Sequence, residues 1–393
     1  MDKPGDDMAA LIAESNTFFN KINSENAIKG KPVDNLSGIL HKTRVKNLRD
    51  MALFRDIKGA SHYKKAELIE KLEPQILDPK RMKEFLMFTD PEVLTFFIGA
   101  MQTAVFEPEY CTPDLYMELC LLGYIGMFAA GDNRFTFVVP FEIRNLAEAT
   151  LTETFGVFRK QVLIVDRIAR IAVHLYGVVT LKEIQMLVNH YFPGEVTFDL
   201  IKPILDGLAP RRWQYEINEK YILNPFFFEE QEEGCEEEQE FYYAEAERHL
   251  RYMPDKRNFL KYESSAYHEN TEEISQLEDY MAAVGCTDAV STCLASDVAD
   301  LCRSGGSFPD IMEALCGELE QYNPDIDPDE LASYVARVNN TTRMWLNNGF
   351  TPDELVDQKR PPLSVINGDA SCKTGAAPTG KRPRLYLLKN DQE

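Results

Sequence analysis

Residues 36–76 read LSGILHKTRVKNLRDMALFRDIKGASHYKKAELIEKLEPQI, and this run fixes the character of the chain's first part. Leu36, Ile39, Leu40, Val45, Leu48, Met51, Ala52, Ile57, Leu68, Ile69 and Leu72 recur at helical spacing, which predicts two or three short helices. The pattern breaks at Ile57-Lys58-Gly59-Ala60, and Ser61 is then placed to cap a helix that continues through Lys64, Lys65, Glu67 and Leu68. A helix start favours acids, yet Lys64 and Lys65 stand there. An anion answers them best. A phosphate on the free amides of the first turn, with both ammonium groups closing over it, is the reading that makes the lysines useful. Between residues 36 and 81 there are eleven Lys or Arg against six acids, in a chain of formal charge -22. Nucleic-acid backbone contact through Arg44, Lys46, Arg49, Lys58, Ser61, Lys64 and Lys65 is therefore expected. The plainer alternative is a three-helix cap with a solvated basic face.

The run from Val45 and Leu48 through Ile57, Gly59 and Ser61 to Lys64, Lys65, Glu67, Leu68, Ile69 and Leu72 resembles the N-terminal helical domain of bacterial Rho termination factors, itself similar to the SAP helix-extension-helix motif. The resemblance covers about a tenth of the chain. It implies phosphate contacts to DNA or RNA and a role related to transcription. The cold-shock barrel and ATPase domain that follow in the termination factor have no counterpart in this sequence. Residues 339–355, NNTTRMWLNNGFTPDEL, are similar to a stretch of clostridial and bacillar proteins that pair a Rho-N-like segment with a C-terminal SEC-C zinc motif. The resemblance implies a bacterial source of the Firmicutes type. The zinc motif itself is missing, since Cys372 is the one cysteine after residue 358.

The expected fold class is mainly α and multi-domain: a SAP-like helical module, winged-helix units with short β-hairpins, and a C-terminal helical domain. The expected divisions are 1–35, an N-terminal helix and linker; 36–80, the basic module; and 81–150, a first winged-helix-like unit. Residues 151–228 form a second such unit, 229–270 an acidic and aromatic linker, 271–356 the helical domain and 357–393 a disordered tail. In the first unit, helical patterns lead to hairpin strands at 124–128 and 134–139. In the second, helices at 158–176, 180 onward and 197–208 precede alternating Trp213, Tyr215 and Ile217, then Tyr221 and Leu223. Thr180-Leu181-Lys182-Glu183 is a capping box. The third helix offers only Asp199, Lys202 and Asp206 to a groove, with Pro203 inside it, so it is a poor base reader. Trp213 is expected to pack beneath the sheet, with Arg211 and Arg212 covering its edge.

Residues 229–247 hold ten glutamates and no basic residue, a pattern of solvated linker or helix face. An acidic segment beside a basic patch also raises the possibility of self-occlusion. Residues 375–382, GAAPTGKR, imitate a phosphate-binding loop, but Arg382 replaces the magnesium-holding hydroxyl and Pro383 blocks the following helix. The eight cysteines show no CxxC pair and read as small buried residues in a reducing compartment. Six scattered histidines show no metal spacing, and none of the hydrolase or dinucleotide motifs occurs. His62, beside Ser61, is the one placed to donate to an anion. The reading is a cytoplasmic non-enzyme with no cofactor, no metal and no membrane span. It is a nucleic-acid-binding accessory or regulatory protein, or alternatively a protein-interaction adaptor using the winged-helix and C-terminal helices.

Overall fold

The computed structural model describes residues 17–108, 111–131, 134–227, 235–323 and 326–358. They are mainly helical, with two small antiparallel sheets. The chain divides into two compact units, Met1–Leu163 and Ile164–Glu393.

The first unit begins with α1 (17–26), followed by α2 (Leu36–Lys42) and α3 (Val45–Phe54). Asn35 caps α2 by accepting from the Gly38 amide at 2.7 Å. After Gly59, at φ +76, a single 3-10 turn (Ala60–His62) leads to α4 (Lys65–Ile76). Next come α5 (Pro79–Phe88), α6 (Pro91–Met101) and α7 (Pro113–Leu121), each with proline in its first turn, where no amide is needed. The hairpin β1 (Gly126–Gly131) and β2 (Arg134–Val138) pairs Met127 with Phe137. It is widened by single bridges from Ile28 to Phe128 and from Phe106 to Phe137. Then follows α8 (Phe141–Thr150), and the boundary between the units falls within α9 (Glu153–Tyr176).

Residues 36–80 are not a separate module in this unit. Ile39 packs with Ile28, Phe128 and Val138 in one cluster, and the Leu36 amide donates to Glu142 at 2.9 Å. Buried Arg55 donates to the carbonyls of Gln75, at 2.8 Å, and Leu122. These carbonyls end helices and would otherwise be orphaned. Arg159 does the same for the carbonyls of Met87 and Thr89.

In the second unit β3 (Val178–Thr180) precedes α10 (Leu181–Tyr191), whose predicted capping box is present. The third helix, α11 (Ile201–Leu208), starts later than position 197. Pro203 has no amide hydrogen, so it fits only the first turn, and residues 198–200 form a 3-10 turn instead. β4 (Glu216–Ile217) and β5 (Tyr221–Leu223) complete a three-stranded sheet of order β3-β5-β4, whose β3 the sequence pattern did not suggest.

Then come α12 (Cys235–Ala246), α13 (Lys256–Phe259), α14 (Glu272–Val284), α15 (Asp288–Ser304), α16 (Phe308–Leu319), α17 (Pro328–Thr341) and α18 (Pro352–Gln358). Leu277, Ala299, Leu315 and Val335 center a core shared by α14 to α17. α12 is no linker. Its Tyr242 is buried with Val178, Leu223, Phe227 and Trp345, tying winged helix and C-terminal helices into one core.

Candidate nucleic-acid interface

The basic residues sit on α2, α3 and α4 and on the turns between them, held by a fully buried underside of Leu36, Leu40, Leu48, Leu68 and Leu72. The helix start differs from the expectation. Lys64, not Ser61, is the N-cap of α4, because Gly59 and the 3-10 turn use up residues 59–62 before the chain extends at Tyr63 and Lys64. Glu67, three residues on, accepts from the Lys64 amide at 2.7 Å. A lysine side chain has no acceptor to complete a reciprocal box, so this carboxylate is the cap. The chain supplies its own anion at the N-cap amide.

The expected site residues fall into three sets. Lys46, Lys58, Ser61 and Lys64 are exposed. Arg44 and Lys65 reach backbone carbonyls at helix ends: Arg44 donates to the Glu25 carbonyl at 2.7 Å and Lys65 to the His41 carbonyl at 2.5 Å. Cations there complement the helix dipole, so these two also hold α1 and α2 in place. Arg49 is half-buried, and its Nε is buried without an acceptor. Among the described residues none of the six cations at these positions forms an ion pair, and the one pair within 36–81 is Arg81 with Asp78 at 4.0 Å. His62 is exposed in the 3-10 turn.

Sequence reasoning missed two features nearby. Leu53 and Phe54, at the end of α3, are 64% and 48% exposed. A cavity of about 270 Å³ lies beside Ile39, Met51, Met117 and Met127, with Asn47 and Asp50 among its lining. Side chains on α2, α3, α7 and β1 assemble it from distant positions, so no local pattern announces it.

The winged-helix residues are arranged differently from the expectation. Trp213 is 73% exposed rather than packed beneath the sheet. The chain bends at 213–214 and β4 begins only at Glu216, so strand alternation does not extend back to Trp213. Tyr215 takes the inward place, donating to Asp166 Oδ1 at 3.1 Å. Arg212 does not cover an edge; it is buried, with its Nε 2.9 Å from the same carboxylate oxygen. On α11, Lys202 pairs with Asp206 at 2.8 Å, so its charge is spent on the helix's own face.

Of the six cysteines whose side chains are described none is in a disulfide; Cys286 and Cys302 are buried, Cys111, Cys120 and Cys316 are partly buried and Cys293 is exposed. Burial pushes the thiols of Cys111, Cys120 and Cys302 up to about 12, so these are protonated and unreactive at neutral pH. Among the described residues there is no group of metal-ligating side chains, and no helix is long and apolar enough to cross a membrane. The GAAPTGKR segment and the rest of the tail, like residues 229–234 of the acidic run, lie outside the described residues. No family model matches the chain, and comparison with curated proteins and with solved structures finds no match.

Proposed function

We propose that this chain is a nucleic-acid-binding accessory or regulatory protein whose first unit meets backbone phosphates with the side chains of α3, the 58–64 turn and the start of α4. The observation that carries the reading is the set of cations at 44, 46, 49, 58, 64 and 65, which have no carboxylate partner among the described residues although the chain is acidic overall. Unneutralised cations attract a polyanion at short range and displace its condensed counterions on contact. Glu67 occupies the Lys64 amide, and the exposed ammonium groups of Lys46, Lys58 and Lys64 are the ones that reach phosphate first. The resemblance to the Rho N-terminal domain agrees with this and suggests, without specifying it, a transcription-related role.

The test is fluorescence anisotropy of labelled single- and double-stranded DNA and RNA with wild type and Lys46→Glu/Lys64→Glu. The double variant should bind at least about tenfold more weakly, since two phosphate contacts become two repulsions. Equal binding by both proteins, or none by either at low salt, sinks the reading. A second reading, a protein-interaction adaptor, draws on exposed Leu53 and Phe54. Leu53→Ser/Phe54→Ser should then abolish partner capture while leaving polyanion binding unchanged.

A further inference from the structure

The cavity of about 270 Å³ between α2, α3, α7 and β1 opens beside exposed Asn26, Asp50 and Met117. Its inner wall is fixed by close packing. Gly123, at φ +71, and Gly126 present bare backbone there: a Cβ on the first would fall 2.9 Å from Met51 Cε and 2.7 Å from Ile76 Cδ1, and one on the second 3.1 Å from Ile39. Ile39 is held in turn against Ile28, Phe128 and Val138. A wall packed on its far side keeps its shape.

The polar groups along it are spent or neutral. The Thr43 hydroxyl donates to the Ile39 carbonyl at 2.8 Å, and the Asn47 side-chain amide donates to the Asn26 carbonyl at 3.2 Å. Burial raises the Tyr116 phenol and the Cys120 thiol, so both stay uncharged near neutral pH. Among the described lining residues only Asp50 is charged, and it stands at the mouth. An apolar interior with a carboxylate and no cation at its entrance rejects anions, and burying any ion in it is costly. Size and softness narrow the choice further. An apolar cavity of ~150 Å³ takes benzene, so one nearly twice as large takes a bicyclic ring system. Met51, Met117 and Met127 set thioethers along the wall, and these adaptable, polarisable groups favour contact with aromatic rings.

We infer that this cavity binds a small uncharged aromatic molecule of about two fused rings, held against the methionine side chains of α3, α7 and β1. The site stands without the nucleic-acid reading.

Indole serves as the probe, titrated into the full-length protein by calorimetry. It should bind saturably at about one molecule per chain and raise the melting temperature of the protein. Indole-3-carboxylate should bind at least about tenfold more weakly. Met117→Trp, at an exposed position that the core does not need, fills the mouth and should weaken indole binding by about tenfold or more without lowering the melting temperature of the free protein. Cys120→Leu, one turn along the same face of α7, should do the same and decides the matter if Met117→Trp fails to fold. Three results overturn the inference: no saturable heat with indole; equal indole binding by wild type and the folded variants, which would put the probe elsewhere; or indole-3-carboxylate or 1-octanol binding as tightly as indole, which would make the ligand an anion or an alkyl chain.

Discussion

His174 lies at the end of α9 with its imidazole enclosed, and burial first, then the Arg303 cation, lowers its pKa from 6.5 to about 4 against the pull of the Tyr262 and Tyr267 carbonyls. Between those values the unfolded chain takes up a proton that the folded chain refuses. This group's share of stability is therefore intact above the unfolded pKa and is lost as pH falls towards the folded one, by up to about 3 kcal/mol. Urea midpoints measured near neutrality and near pH ~4.5 should separate in wild type, and His174→Gln should close part of the gap. Asp166 makes a second residue-scale case. Its Oδ1 meets both Arg212 and Tyr215 in a site sealed from water. Asp166→Ala strips a buried guanidinium of its carboxylate and should cost about 3–5 kcal/mol in denaturant titration, whereas Tyr215→Phe should cost about 1 kcal/mol.

At the scale of the element, α4 depends on Glu67. The carboxylate caps the Lys64 amide and lies at the positive end of the helix dipole. Glu67→Ala should therefore lower the midpoint by about 1 kcal/mol of stability. On the proposed reading it should also tighten polyanion binding, because it removes a negative charge and uncovers an amide. Tighter binding with lower stability would be hard to obtain from a merely structural basic face. The turn between α9 and β3 gives a sharper case. Gly177 has φ +72, and a Cβ there would fall 2.5 Å from the Trp345 ring. Gly177→Ala combines backbone strain with a collision against a buried aromatic, so a loss of about 3 kcal/mol or more is expected in thermal or urea unfolding.

For the molecule as a whole, charge is the governing quantity. A formal charge of -22 opposes any polyanion at long range, while the basic face of the first unit attracts it at short range. Affinity should thus be confined to a few contacts. If about five phosphates are neutralised, the log-log dependence on salt should have a slope of about −4.5 on duplex DNA. A much steeper slope would mean that cations beyond the 44–65 face take part, and a flat one that the contacts are not to phosphate.

Local signals carried far in this chain where the physics is local. The Thr180–Glu183 capping box and the two hairpins were legible because caps and turns depend on residues a few positions apart. The basic surplus of residues 36–81 was legible too, because exposed charge needs no fold to be counted. Long-range competition decided the rest. Glu67 outcompeted Ser61 as the cap of α4 because a turn consumed the intervening residues. Tyr215 displaced Trp213 from the core once Asp166, 49 residues away, offered its hydroxyl a partner. Residues 235–246 of the acidic run became a packed helix because Tyr242 found Trp345 and the Ser304 carbonyl. The sequence by itself determined where charge gathers and that the chain is mainly helical. Only the tertiary structure decided which polar groups are buried without partners, because that depends on side chains more than a hundred positions apart meeting in one cleft.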